Sequence, residues 1–160
     1  MGAVPLAMAA AALLWVQLPG TPEAVCCYGD PVVEGFRKEA RSVSEGPAAG
    51  PYVFVPDGVV RVSVPFEGEP EVPVAASAWL VDGDALTPWA GTLQVADSGA
   101  VRLKGAVRDT LGLAIGDSRQ LLVIAHPADA EGIEAVARAH LQGEESPWSI
   151  QTVDLRVEAP

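Results

Sequence analysis

Val59-Val60-Arg61-Val62-Ser63-Val64 decides how this chain is read. Val60, Val62 and Val64 alternate with Arg61 and Ser63. Successive side chains of a strand point to opposite faces, so this pattern predicts a strand buried on one side and wet on the other. Just upstream, Tyr52 to Val55 reads as a short strand closed by the turn triplet Pro56-Asp57-Gly58. Downstream, Glu67, Glu69 and Glu71 mark an exposed connection. Val74 to Val81 is the next strand, turned by Asp82-Gly83-Asp84 into Ala85 to Trp89. Thr92 to Val95 and Val101 to Lys104 form a hairpin around Asp97-Ser98-Gly99. Gln120 to Ala125 is the most apolar run and is expected to be central. In Trp148 to Val157, Val153, Leu155 and Val157 alternate with Asp154 and Arg156.

One segment carries a helical period. Ile133, Val136, Ala137, His140 and Leu141 form a stripe at i, i+3, i+4, i+7 and i+8. Asp129 is the expected N-cap, Glu131 and Glu134 suit the positive end, Arg138 and His140 suit the negative end, and Gly143 stops it. The prediction is a helix over 128–142. Val33, Phe36 and Ala40 also give Tyr28 to Arg41 some helical character. The fold class is therefore mainly β with one helix in the C-terminal half. It is an antiparallel β-sandwich-like domain over 52–160, after an apolar helix at 1–18 and a spacer at 19–51.

Composition bounds the partners. The chain has 160 residues, which fits one domain with appendages. Its net charge is −11 with only 10 basic residues, the densest group being Arg37, Lys38 and Arg41. Binding to a nucleic-acid backbone needs several cations to replace condensed counterions, so no nucleic-acid partner is expected. An anionic membrane surface would repel the folded part for the same reason.

The N-terminus reads differently. Ala3 to Leu18 has no charge, and Gln17 is its only strongly polar residue. As a helix it would span roughly 24 Å, short of the roughly 30 Å hydrocarbon core. A single-pass anchor is the leading expectation, with a cleaved signal peptide and a buried helix as alternatives. A basic n-region is missing, and cleavage after Ala24 or Gly20 would put Pro22 or Leu18 at −3. Lys and Arg are absent after the span until Arg37, which favours a C-terminal domain outside an inner membrane; cleavage would make it secreted or periplasmic. The abrupt start suggests a span whose upstream part is missing.

Candidate chemistry is sparse. Cys26 and Cys27 are adjacent, and a bridge between neighbours is strained. An intermolecular disulfide is the functional expectation for them, against two apolar-like spacer residues. Two such ligands cannot complete a structural zinc site. Gly116-Asp117-Ser118 resembles the start of a hydrolase motif, but Arg119 follows where Leu belongs, and a turn is the stronger reading. His126 and His140 are expected to be structural; a catalytic base would have to reach a nucleophile and be oriented by a third group. Glu67, Glu69, Glu71, Asp82 and Asp84 could supply oxygen ligands to calcium if their loops converged, but they lack EF-hand spacing and read as a solvated acidic edge. No cofactor and no metal are expected. Trp79, Trp89 and Trp148 read as core, with a partner surface as the functional alternative.

The span Ala9 to Leu18, Tyr28-Gly29-Asp30, the stretch from Ala78 to Trp89 and Leu121 to Pro127 with its following helix share a pattern. In this order they resemble the extracytoplasmic half of single-pass, anti-sigma-factor-like bacterial envelope proteins. That resemblance implies a membrane contact through the N-terminal helix and another envelope protein as partner. Members carry a cytoplasmic helical domain that grips the sigma factor, whereas here Met1 and Gly2 alone precede the uncharged run Ala3 to Leu18. The leading expectation is a non-enzymatic interaction or sensing domain. One alternative is the outer half of a transmembrane regulator whose gene start was set too late. Another is a hydrolase or carbohydrate-binding accessory domain, which requires a histidine, a serine and a carboxylate to meet.

Overall fold

The computed structural model describes residues 27–37 and 50–160. Two β-sheets form most of it. The strands are β1 (Val32–Glu34), β2 (Tyr52–Phe54), β3 (Val59–Val64), β4 (Val74–Asp82), β5 (Ala85–Pro88), β6 (Thr92–Val95), β7 (Val101–Ala106), β8 (Ser118–Pro127) and β9 (Ser149–Val157). Helix α1 (Val107–Leu111) follows β7, and α2 (Ile133–Leu141) lies between β8 and β9. One sheet has the order β1-β3-β7-β6 and the other β2-β9-β8-β4-β5, so the apolar β8 is central as its composition predicts.

The valine alternation of β3 sets the inner face of the four-stranded sheet. Val62 pairs with Val33 on one side and Leu103 on the other, and Leu103 pairs with Leu93. Val60, Val62, Val64, Val101 and Leu103 are all buried, while Arg61, Arg102 and Lys104 between them are exposed. In the five-stranded sheet, Leu80, Leu121 and Val153 form a row across β4, β8 and β9. Tyr52 and Phe54 share that face, because they pair with Leu155 and Val157. Phe54 also approaches Gly35 just beyond β1, so this face is the one turned toward the four-stranded sheet. β8 is buried on its other face too, through Leu122, Ile124 and His126. Helix α2 lies against β8 with Ala137 fully buried, and Arg138 donates to the Asp84 carbonyl in the β4–β5 turn at 3.3 Å.

Several sequence expectations change. Tyr28 to Arg37 is not helical: Tyr28 bridges Phe66, and Val32–Glu34 is a strand paired with β3. The stretch assigned to a spacer thus supplies a sheet edge. Tyr28 is fixed by its hydroxyl, which donates to the Gly99 carbonyl at 2.8 Å, and by an edge contact with Phe66; burial raises its pKa and keeps that donor protonated. Helix α2 starts later than 128. Pro127 still belongs to β8, and the N-cap is Gly132 in the left-handed region, with no side-chain cap from Asp129. The short helix α1 gives no periodic signal, being five residues long. The sheets are not wholly antiparallel either, since β2 pairs with β9 in parallel. The apolar segment 1–18, Cys26, and the stretch 38–49 lie outside the described residues. Among the described residues no helix is long and apolar enough to cross a membrane.

Candidate functional site

The outward face of the four-stranded sheet gathers what the interior excludes. Period two points Arg61 and Ser63 out of β3, Arg102 and Lys104 out of β7, and Thr92 and Gln94 out of β6. Register then builds two rows across the sheet. Glu34, Arg61, Lys104 and Thr92 form one; Val32, Ser63, Arg102 and Gln94 form the other. These residues line a shallow concavity of about 570 Å³. Val32 at its edge is 54 % exposed.

The electrostatics single this face out. Eight Lys and Arg lie among the described residues: Arg37, Arg61, Arg102, Lys104, Arg108, Arg119, Arg138 and Arg156. Arg108, Arg119, Arg138 and Arg156 form ion pairs with Asp57, Asp82, Glu134 and Glu158. Arg37 donates to the Ala159 carbonyl at 3.1 Å. The remaining three, Arg61, Arg102 and Lys104, have no such partner, and all three stand on this face. Arg61 and Lys104 are direct cross-strand neighbours, an arrangement that like charges disfavour by roughly 0.2–1 kcal/mol. Glu34 sits opposite Arg61 without closing an ion pair. A face with three cations and one carboxylate is thus carried by a chain of net charge −11. A second concavity, about 350 Å³ at the other sheet, has its charges satisfied: Arg119 meets Asp82 at 2.9 Å and Gln120 meets Asp154 at 3.2 Å.

The tryptophans, read as core with a partner surface as the alternative, are mostly inside. Trp79 and Trp148 are only 8 % and 9 % exposed and belong to the core, while Trp89 is half-buried. The Trp148 indole N–H is buried with no hydrogen-bond partner among the described residues. Cys27 is disulfide-bonded and has a positive φ of 72°. Ile115 and Gly116 form a turn, closed by the Asp117 amide donating to the Ala114 carbonyl at 3.1 Å, and Ser118 opens β8. Gly116-Asp117-Ser118 therefore belongs to a turn, as read from the sequence. Among the described residues no group of acidic, histidine or cysteine side chains could hold a metal ion.

His126 does meet a hydroxyl. Ser77 Oγ lies 3.1 Å from His126 Nε2, and His126 Nδ1 lies 2.8 Å from the Pro127 carbonyl oxygen. A carbonyl only accepts, so the neutral ring carries its proton on Nδ1, and the Ser77 hydroxyl donates to Nε2. Serine hydrolases also place a serine hydroxyl against a histidine ring, but they orient that ring with a carboxylate where His126 meets a backbone carbonyl. The ring is 6 % exposed and packs on Trp148 with centroids 5.8 Å apart, so the contact also satisfies a buried imidazole. Replacing Ser77 with Ala strands that buried acceptor and is expected to cost about 1–3 kcal/mol, read as a lower denaturant midpoint. An unchanged midpoint would show that solvent already serves Nε2.

Sequence reading misses the cationic face because its members are distant in the chain. The signal is nevertheless present in Val60-Arg61-Val62 and Val101-Arg102-Leu103-Lys104, whose alternation turns every cation outward. No family model, no curated protein and no solved structure matches the chain.

Proposed function

We propose that this domain is a non-enzymatic binding module that engages another protein through the outer face of its β1-β3-β7-β6 sheet. One observation carries the reading: every described Lys and Arg without an ion-pair or hydrogen-bond partner stands on that face. Unpaired cations set on rigid strands are pre-organised for anionic groups, because their backbone is already ordered before a ligand arrives. The uncharged run from Ala3 to Leu18 supports a place in the cell envelope, with the domain held at or sent across a membrane.

The test is site-specific photo-cross-linking in cells. A photoreactive residue at Ser63 is expected to give a discrete adduct that disappears in the R102E/K104E variant. The same probe at Glu131, near α2, should give none. An adduct of equal strength in the charge-reversed variant would contradict the assignment. A second reading, a serine hydrolase, has the Ser77–His126 contact in its favour. It requires a fluorophosphonate probe to label Ser77 in the wild type and not in H126F.

A further inference from the structure

We propose that the occupant of this face is an acidic polypeptide segment in extended conformation, with carboxylates two residues apart; this rests on the reading of the face as the binding surface. The spacing comes from β7. Arg102 and Lys104 are two residues apart on one strand, so their backbone positions are separated by about 6.6–6.8 Å. An extended peptide has the same rise. Its residues i and i+2 therefore present carboxylates at the separation of Arg102 and Lys104, while residue i+1 faces solvent. Arg61 lies beside Lys104 and doubles the positive charge at one end of the track. A carboxylate bridging that pair relieves the repulsion the sheet carries when empty. Ser63 and Gln94 flank Arg102 and offer hydrogen bonds to a peptide backbone.

Charge and composition select a peptide over a nucleic acid. Among the described residues the face has three cations and no aromatic side chain on which bases could stack. The whole chain, at net charge −11, repels a polyanion once the ligand extends past the concavity. A short acidic segment reaches only the cations. Arginine strengthens the hold on each carboxylate, because its planar fork can grip one with two hydrogen bonds.

The experiment titrates the protein with acetylated, amidated peptides and follows binding by amide chemical shifts. Gly-Glu-Gly-Glu-Gly is expected to bind weakly. Gly-Gln-Gly-Gln-Gly should bind about tenfold more weakly, since two exposed charge pairs of modest strength are lost. Gly-Glu-Glu-Gly-Gly keeps the charge but breaks the spacing, and should bind about threefold more weakly for the loss of one such pair. R102E/K104E should reduce the first affinity at least about tenfold while its melting temperature does not fall, both positions being exposed and the Arg61–Lys104 repulsion being removed. Equal binding of the Glu and Gln peptides overturns the acidic occupant. Tighter binding of a single-stranded oligonucleotide, lost in R102E/K104E, overturns the peptide in favour of a nucleic acid. If the cross-link from Ser63 still vanishes in R102E/K104E while acidic peptides show no preference, the ligand chemistry is wrong but the binding face stands. A cross-link that survives the charge reversal removes the face as well.

Discussion

Leu121→Ala is expected to destabilise the domain by about 2–5 kcal/mol. Leu121 is fully buried at the centre of β8, between Leu80 of β4 and Val153 of β9. It shares one core cluster with Val60, Val62 and Leu103 of the four-stranded sheet. Truncation removes one methine and two methyl carbons and leaves a cavity that neighbouring strands cannot close, because ladder hydrogen bonds hold both partners in register. The transfer loss and the cavity loss add. The check is urea denaturation, with a lower midpoint and an unchanged slope. Leu121→Met keeps the volume and should cost less than about 1.5 kcal/mol. A loss below about 1 kcal/mol for the alanine variant would mean that β8 is not the centre of the core.

Gly35→Ala is the second large effect, expected at about 2–4 kcal/mol from backbone strain and steric overlap together. Gly35 follows β1 with φ of 89°, which side chains of L-residues rarely adopt. A Cβ there would also fall on the carbonyl oxygen of Val59, at the start of β3. Backbone cannot step aside as a side-chain tip can, so β1 would have to separate from β3. Gly112→Ala is the control. Its φ of 58° carries similar strain, but a Cβ there meets nothing within 4 Å, so about 1–2 kcal/mol is expected. Equal losses at the two positions would show that the contact with Val59 is not limiting. Binding should follow the same order, because β1 carries Val32 and Glu34, one end of each row on the outer face.

Much of this architecture can be read in the chain. Where alternation is strict, as in β3 and β9, strand and buried face follow directly from the valines and leucines. Where one run is apolar on both faces, as in β8, its central place follows too. The failures have local causes. β1 is three residues long, too short for a period to emerge, and its partner β3 is far away in sequence. Helix α1 is a single turn between β7 and Gly112, placed by the burial of Val107, Thr110 and Leu111 rather than by helix propensity. The start of α2 is misread because Asp129 satisfies a cap pattern, whereas the chain leaves β8 through a turn and enters the helix at Gly132. The candidate site falls between these cases. Arg61 and the pair Arg102 and Lys104 are about forty positions apart, and no sequence window shows them as a cluster. Only the β3–β7 register makes Arg61 and Lys104 neighbours. The tryptophans are conspicuous by type, yet their size draws two of them inside.

The outer face of the four-stranded sheet is the claim on which the functional reading depends. The most direct measurement is a residue-resolved chemical-shift map of the isotopically labelled chain against millimolar Gly-Glu-Gly-Glu-Gly. The largest shifts are expected at the amides of Arg61, Ser63, Arg102 and Lys104 and should fade as salt is raised. Largest shifts around Ser77, His126 and α2, or no shifts above those of the Gln peptide, would contradict the claim.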